Sequence, residues 1–306
     1  MNEITVSAPA TVANIVCGFD ILGFALSSPA DTFRLYKTNH KGVTIRNCDN
    51  YELPADPENN VSGVALLAML DEINEEIGFE LESTKLIKPG SGIGSSAASA
   101  AGVVVAANYL LNNIFSRNDL VRFAMEGEVV ASGARHADNI APCIFGGVTL
   151  IRSNNPLDII PISCPPLFVT VIHPQIEVKT ADARQILKSK VLLKNAITQW
   201  GNVAGLVAGF MKGDYELIGR SLEDVIIEPV RKILIPGFDE LKKQSIAAGA
   251  LGGGISGSGP SVFMFSRDEK TAHAVAQAMQ SVYQKIGIDF KLHVSTVNHK
   301  GVDVIQ

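Results

Sequence analysis

The chain is poor in the residues that announce several protein classes. Its four cysteines (Cys17, Cys48, Cys143, Cys164) lie far apart with no C-x-x-C pair, which excludes a disulfide scaffold and offers no zinc motif. Charged residues make up only 19%, and 31 acidic against 26 basic side chains leave a net charge of -5, so there is no basic footprint for a nucleic acid. Residues 1–10 carry Glu3 and no basic cluster ahead of an apolar run, unlike a secretory signal. The most apolar stretch, 97–111, spans about 15 residues, short of the roughly 18 that a membrane helix needs. These gaps point to a cytoplasmic protein with reduced thiols and with neither nucleic acid nor membrane as partner.

Apolar residues and glycine are plentiful instead. At 46% hydrophobic content and a mean hydropathy of +0.21 the chain can bury a large interior, and 306 residues exceed what one core usually organises. The patterns predict strands at 4–8, 32–36 and 43–46, then a helix over 61–77 with Asn59 or Asn60 as N-cap and Gly78 as stop. A strand at 81–87, helices at 97–111 and 118–131 and a strand at 145–152 follow, and the proline-containing segment 154–166 reads as a domain boundary. Beyond it come a strand at 167–173, helices at 181–187, 195–212, 214–226 and 238–248, a strand at 261–265, a helix at 269–286 and a strand near 291–297.

Two glycine-rich loops interrupt this pattern. Lys88-Pro89-Gly90-Ser91-Gly92-Ile93-Gly94-Ser95-Ser96 runs from a strand into the helix that begins Ala97-Ala98. Backbone N–H groups at such a helix start suit a small phosphate. The loop is not a G-x-x-x-x-G-K-[ST] Walker motif. Its Gly92-Ile93-Gly94-Ser95-Ser96-Ala97 fits G-x-G-x-x-A, but no acidic strand end follows about 20 residues later, which disfavours a nicotinamide site. The second loop, Gly249 to Pro260, carries Gly252, Gly253, Gly254, Ser256, Gly257, Ser258 and Gly259. On residues alone, both loops could be tight turns and nothing more.

In the 118–131 helix, Leu120, Phe123, Ala124 and Ala131 define an apolar face, and Glu128 falls about 80° from Leu120 at its edge. Glu128 is thus the acid placed to face a cleft, an exposed ion pair being the alternative reading. A polar cluster including His136, Asp138 and Asn139 follows that helix; His136 taken singly also fits a structural histidine.

Six segments together resemble the GHMP kinases, and within them the members acting on L-homoserine: PATVANIVCGFD (9–20), KPGSGIGSSAA (88–98), SGARHADNIAP (132–142), HPQIEVKTADAR (173–184), IEPVRKILIPG (227–237) and GALGGGISGSGPS (249–261). The resemblance spans nearly the whole chain. It implies an α+β fold of two domains, residues 1–160 like ribosomal protein S5 domain 2 and residues 161–306 ferredoxin-like. It also implies transfer of the γ-phosphoryl group of ATP to the side-chain hydroxyl of L-homoserine, giving O-phospho-L-homoserine on the way to threonine, in a homodimer.

By the same resemblance, residues 88–98 cradle the triphosphate, Ser96 and Glu128 hold Mg²⁺, and Asn60 lies near the base. Asn14, Asp20, His136 and Asn139 line the homoserine site, Arg184 and Arg231 clamp the carboxylate, and Thr180 lies near the transferred group. The chemistry is coherent: guanidinium groups bind carboxylates bidentately and an aspartate suits an ammonium group. Lys88, Ile93 and Val16-Cys17 depart from the usual proline, leucine and glycine-proline. Asn139 stands where related mevalonate kinases carry an aspartate base, so catalysis is expected from positioning and electrostatics, with the proton leaving to phosphate or solvent.

Overall fold

The computed structural model of the chain describes residues 2–178 and 180–306, the side chains of Thr180 and Ala181 excepted. Strands β1 (Glu3–Ala13) and β2 (Leu22–Thr38) pair antiparallel, followed by β3 (Gly42–Asn47), helix α1 (Val61–Leu70) and β4 (Gly78–Thr84). The α1 helix stops at Leu70, short of the expected Ile77. Four acidic residues lie within 71–76, where the negative end of a helix disfavours them, and the chain turns there instead. Gly78, expected as a helix stop, opens β4; it is a glycine because a Cβ there would strike the His40 and Gly42 carbonyls.

Helices α2 (Ser95–Leu110), α3 (Arg117–Ser132) and α4 (Ile140–Phe145) lead to β5 (Val148–Asn154) and β6 (Leu157–Ile162). All of α2 except Ser96 and Tyr109 is buried, and its small residues permit this: a Cβ on Gly102 would meet the Phe33 ring at 2.5 Å. Segment 154–166, expected as a boundary, contains β6, which pairs with β5 alone. As an edge strand it tolerates Pro161.

The chain continues through β7 (Phe168–Pro174), α5 (Thr180–Gln185), α6 (Leu193–Lys212), α7 (Tyr215–Ser221), α8 (Glu228–Arg231) and α9 (Phe238–Ala247). It ends with β8 (Gly252–Ile255), β9 (Val262–Ser266), α10 (Glu269–Ile286), β10 (Phe290–Thr296) and β11 (Asp303–Val304). The helix expected over 214–226 is only α7, because Asp224 turns the chain by accepting the N–H groups of Ile226, Ile227 and Glu228. A third of the second glycine loop is strand: Gly252–Ile255 form β8, where a Cβ on Gly253 would overlap the Phe263 carbonyl.

Two sheets result. The first runs β11-β1-β2-β4-β3, with β5 on β2 and β6 on β5; the second runs β10-β7-β9-β8, antiparallel throughout. That second order is the ferredoxin-like arrangement, so the α+β expectation holds. One hydrophobic core extends through both, with Phe24 of β2 packed 5.6 Å from Phe263 and 4.9 Å from Phe265 of β9. A smaller cluster lies under α9 and α10 around Leu241, Met279 and Tyr283. The shared core fixes the two glycine loops against each other. Among the described residues, no helix is long and apolar enough to cross a membrane.

Candidate active site

A cleft of about 400 Å³ opens where the two sheets meet, at the N-terminus of α2. Gly90, Gly92 and Gly94 take φ of 73°, 80° and 70°, the left-handed region that glycine tolerates best. Gly94 caps α2 without a side-chain bond, so the backbone N–H groups of the first turn remain for an anion. Pro89, Gly90, Gly92, Gly94, Ser95 and Ser96 line the cleft. The rest of the expected cradle does not: Lys88 donates to Gln175 Oε1 (2.9 Å), Ser91 and Ile93 are buried beneath the loop, and Ala97 and Ala98 pack in the core.

The second loop braces the first. Ser256 Oγ donates to Gly92 O (2.7 Å), Ser261 Oγ donates to Ser91 O (2.6 Å), and a Cβ on Gly92 would strike the Gly259 carbonyl. Only Gly257 and Ser258 of this loop reach the cleft; Gly252, Gly253 and Gly254 are structural. Beneath the phosphate loop, Lys85 is buried and donates to Asp31 (2.5 Å), Ser95 O (3.1 Å) and Ser99 Oγ (2.7 Å). Asp31 also accepts the N–H groups of Leu86 and Ile87. Sequence reasoning missed this pair, since neither residue belongs to a motif.

Glu128 and Ser96 meet on the cleft wall. Ser132 Oγ donates to the backbone carbonyls of Glu128 and Ala134 (3.0 Å each), the Ser96 and Ser132 hydroxyls lie near the Glu128 carboxylate, and its Oε2 is fully buried without a partner. Burial pushes Glu128 up to about 7, and the nearby Asp138 charge adds to the rise against the two hydroxyls. Asp138 is wholly buried and likewise raised to about 7, by desolvation first and then by Asp20. It lines the cleft, and its position inside SGARHADNIAP was the one sequence signal for it.

The residues expected to line the amino-acid site gather at the other end. After β1 the chain turns through Asn14 (φ 75°), Ile15 (38°), Val16 (62°) and Asp20 (62°), a run of left-handed non-glycine residues that stores strain. Val16 occupies one of these positions where glycine is usual. Asn14 holds the turn, its Nδ2 donating to Gly257 O (2.8 Å) and its Oδ1 accepting from Asp20 N (3.0 Å). Arg184 donates to Asp20 Oδ1 (2.7 Å) and lies 3.4 Å from His136 Nδ1. A guanidinium only donates, so His136 Nδ1 accepts and Nε2 carries the proton; that buried Nε2 has no partner. Burial and Arg184 lower His136, which is therefore neutral.

Arg231 is largely committed to the fold, Nε to Ala183 O (2.9 Å) and one Nη to Gly257 O (3.1 Å). Phe19 lies under both guanidinium groups, 4.9 Å from Arg231 and 5.6 Å from Arg184, and holds two like charges side by side. Asn60 lines the cleft but caps α1, accepting from Ser62 N and Gly63 N and donating to Pro54 O. Thr180 begins α5; its side chain lies outside the described residues. Asn139 reaches the cleft beside Gly94, and Thr11 Oγ1 donates to its Oδ1 (2.8 Å). Among the described residues no three acids, histidines or cysteines cluster to hold a metal.

Residues 59–147 match the family of GHMP kinases N terminal domain, and residues 206–285 match GHMP kinases C terminal. A homoserine kinase from Chloroherpeton thalassium is 46% identical over 299 residues, covering 94% of each chain. The crystal structure of homoserine kinase from Cytophaga hutchinsonii is similar at a TM-score of 0.95 and 49% identity, covering 100% of this chain and 98% of that one. Mevalonate kinase from L. major, crystallised with R-mevalonate, shares the fold alone, at a TM-score of 0.72 and 15% identity over 96% of both chains.

Proposed function

This chain belongs to the homoserine kinases, a branch of the GHMP kinases, and from that membership we propose how its own residues bring ATP and L-homoserine together. The observation that carries the reading is that one cleft joins a glycine-capped helix N-terminus to the Asp20–Arg184 pair. One end suits a triphosphate, the other a zwitterion.

The γ-phosphoryl group of ATP passes to the side-chain hydroxyl of L-homoserine. The hydroxyl oxygen bonds to phosphorus, the bond to the bridging oxygen of ADP breaks, and the hydroxyl proton leaves to the phosphoryl group or solvent. First-turn N–H groups of α2 hold phosphate oxygens, and Ile45, Leu53, Pro54, Val61 and Leu81 offer the base an apolar wall. Asp20 takes the substrate ammonium, Arg184 and the free edge of Arg231 take its carboxylate, and His136 Nε2–H and Asn139 supply neutral donors. This orientation is most of the catalysis. Thr180 is assigned near the transferred group by its motif.

A magnesium ion suits Glu128 and Ser96, since the unpartnered Oε2 needs a cation and phosphates supply most ligands of such an ion. Bound there it would offset the charge of the phosphates. We divide the chain at 1–160 and 161–306, supported by the passage between sheets from Ile162 to Phe168. Four free cysteines support a cytoplasmic setting.

We also propose a homodimer. Leu193, Ile197, Trp200, Ala204, Val207 and Met211 follow one another at four- and three-residue steps along α6, an apolar stripe on which a second copy can pack. Trp200 is 62% exposed and Leu193 68%.

The test of function follows ADP release with Mg-ATP and L-homoserine, L-serine, shikimate or mevalonate. Turnover with homoserine, abolished by EDTA, is expected; equal turnover of mevalonate would overturn the amino-acid site.

A further inference from the structure

Thr11 lies in β1 with no exposed surface, and its hydroxyl donates to Asn139 Oδ1 at 2.8 Å. Its backbone N–H donates to Ile93 O (3.1 Å), which ties the same residue to the phosphate loop. Gly94, the N-cap of α2, presses on this contact: a Cβ there would overlap Thr11 Oγ1 and come within 3.2 Å of Asn139 Oδ1. Asn139 therefore stands where the phosphate loop meets the acceptor site.

An asparagine amide has an accepting end and a donating end, and turning it over exchanges them. In this site the two orientations differ in energy. The Thr11 proton is buried, and Asn139 Oδ1 is its acceptor. Turning the amide over would set Asn139 Nδ2 against a hydroxyl whose own buried proton then lacks a partner, which is unfavourable. It would also aim a carbonyl oxygen, in place of two N–H bonds, at a cleft built for phosphate. As observed, Nδ2 has no protein partner among the described residues and is free to donate into the cleft.

We propose that Thr11 is a positioning residue for phosphoryl transfer, its buried hydroxyl holding the Asn139 amide with the N–H pair turned toward the transferred group. The proposal rests on the reading of Asn139 as part of the acceptor site. Thr11 does not touch substrate; it acts through the amide. Donors aimed in advance at developing charge accelerate the chemical step more than they tighten binding.

Thr11→Val keeps the shape and removes the hydroxyl, while Thr11→Ser keeps the hydroxyl. The valine variant should lose at least about 10-fold in kcat, with KM for ATP and homoserine within about threefold of wild type, and serine should restore most of the loss. In an Asn139→Ala background Thr11→Val should cost little further, because the group it orients is gone. If valine does not fold, Thr11→Ala replaces it in the cycle. Full additivity of the two substitutions, or a serine variant as impaired as valine, would overturn the assignment. Unchanged turnover in Asn139→Ala alone would remove the acceptor-site reading, and this proposal with it; an impaired Asn139→Ala beside an unimpaired Thr11→Val would remove the proposal alone.

Discussion

Asp20 Oδ1 accepts a hydrogen bond from Arg184 at 2.7 Å, so the two groups assigned to opposite ends of an amino acid are each other's partner in the protein. A zwitterion carries both missing charges and can exchange into the pair, leaving neither side chain unpaired. A substrate with a carboxylate but no ammonium would strand Asp20, which gives the site a reason to prefer amino acids.

The pair is about one-third exposed, so it contributes little to stability, on the order of 1 kcal/mol or less. Asp20→Asn and Arg184→Ala should therefore fold normally. Each should raise KM for homoserine about 10-fold or more while KM for ATP stays within about twofold. Steady-state kinetics with each substrate varied checks this; an equal rise in both constants would count against the assignment.

Glu128 links stability to pH. Burial holds its carboxyl near 7, so the folded protein keeps a proton that the unfolded chain releases near 4.5. Its contribution therefore favours the fold below about 4.5, declines as pH rises toward 7 and is level above. Glu128→Gln has no such proton to lose. In EDTA without nucleotide it should be more stable than wild type at pH 8, by on the order of 1–3 kcal/mol, with the difference closing toward pH 5. Urea unfolding at both pH values decides the matter, and parallel curves would refute it. The same variant should lose most of its turnover.

Lys85 and Asp31 are both wholly buried, and each depends on the other. Lys85→Met leaves the Asp31 carboxylate without its counter-charge and frees the Ser95 carbonyl under the phosphate loop. The expected cost is about 3–5 kcal/mol in denaturant unfolding. A cost below about 1 kcal/mol would show that the pair is dispensable.

Gly90 and Gly94 share a left-handed backbone but not their surroundings. A Cβ on Gly94 would overlap Thr11 Oγ1, whereas one on Gly90 meets nothing within 4 Å. Gly90→Ala should thus cost only the backbone penalty, about 1–2 kcal/mol. Gly94→Ala should cost more and also abolish ATP binding, as titration calorimetry would reveal. Equal losses in the two variants would mean that conformation alone matters.

Trp200→Glu places a charge in the apolar stripe of α6. Light scattering should report a dimer for wild type and half that mass for the variant. An unchanged mass would move the interface elsewhere.

Much of this was legible in the residues. The α2 helix and its glycine loop were readable because a long run of small apolar side chains after Gly-x-Gly has few other uses, and Glu128 because 100° per residue places it at the edge of an apolar face. Legibility failed where partners are distant in sequence. Asn60 was read both as an N-cap and as lying near the base, and the structure shows the cap at the cleft wall; Gly252–Gly254 were read as loop, but they pair with β9, where a Cβ on Gly253 would overlap the Phe263 carbonyl. Lys85 with Asp31 carries no local signature at all, and Phe19, although inside the 9–20 motif, gives no sign along the chain of the two arginines it lies under.

The sequence by itself determined the kind of chemistry through its resemblance to the GHMP kinases, which implies a phosphate cradle, a cation carboxylate and charged groups for an amino acid, where residue type and spacing alone left the glycine loops readable as turns. Only the tertiary structure decided which of those residues are free to act. Packing β1, α2, α4 and the second glycine loop together commits Asn14, Asn60 and most of Arg231 to the fold, and leaves Glu128 Oε2, His136 Nε2 and Asn139 Nδ2 without protein partners among the described residues. A buried polar group is held by what it bonds, and those bonds join residues up to 243 positions apart, a pairing that spacing along the chain cannot express.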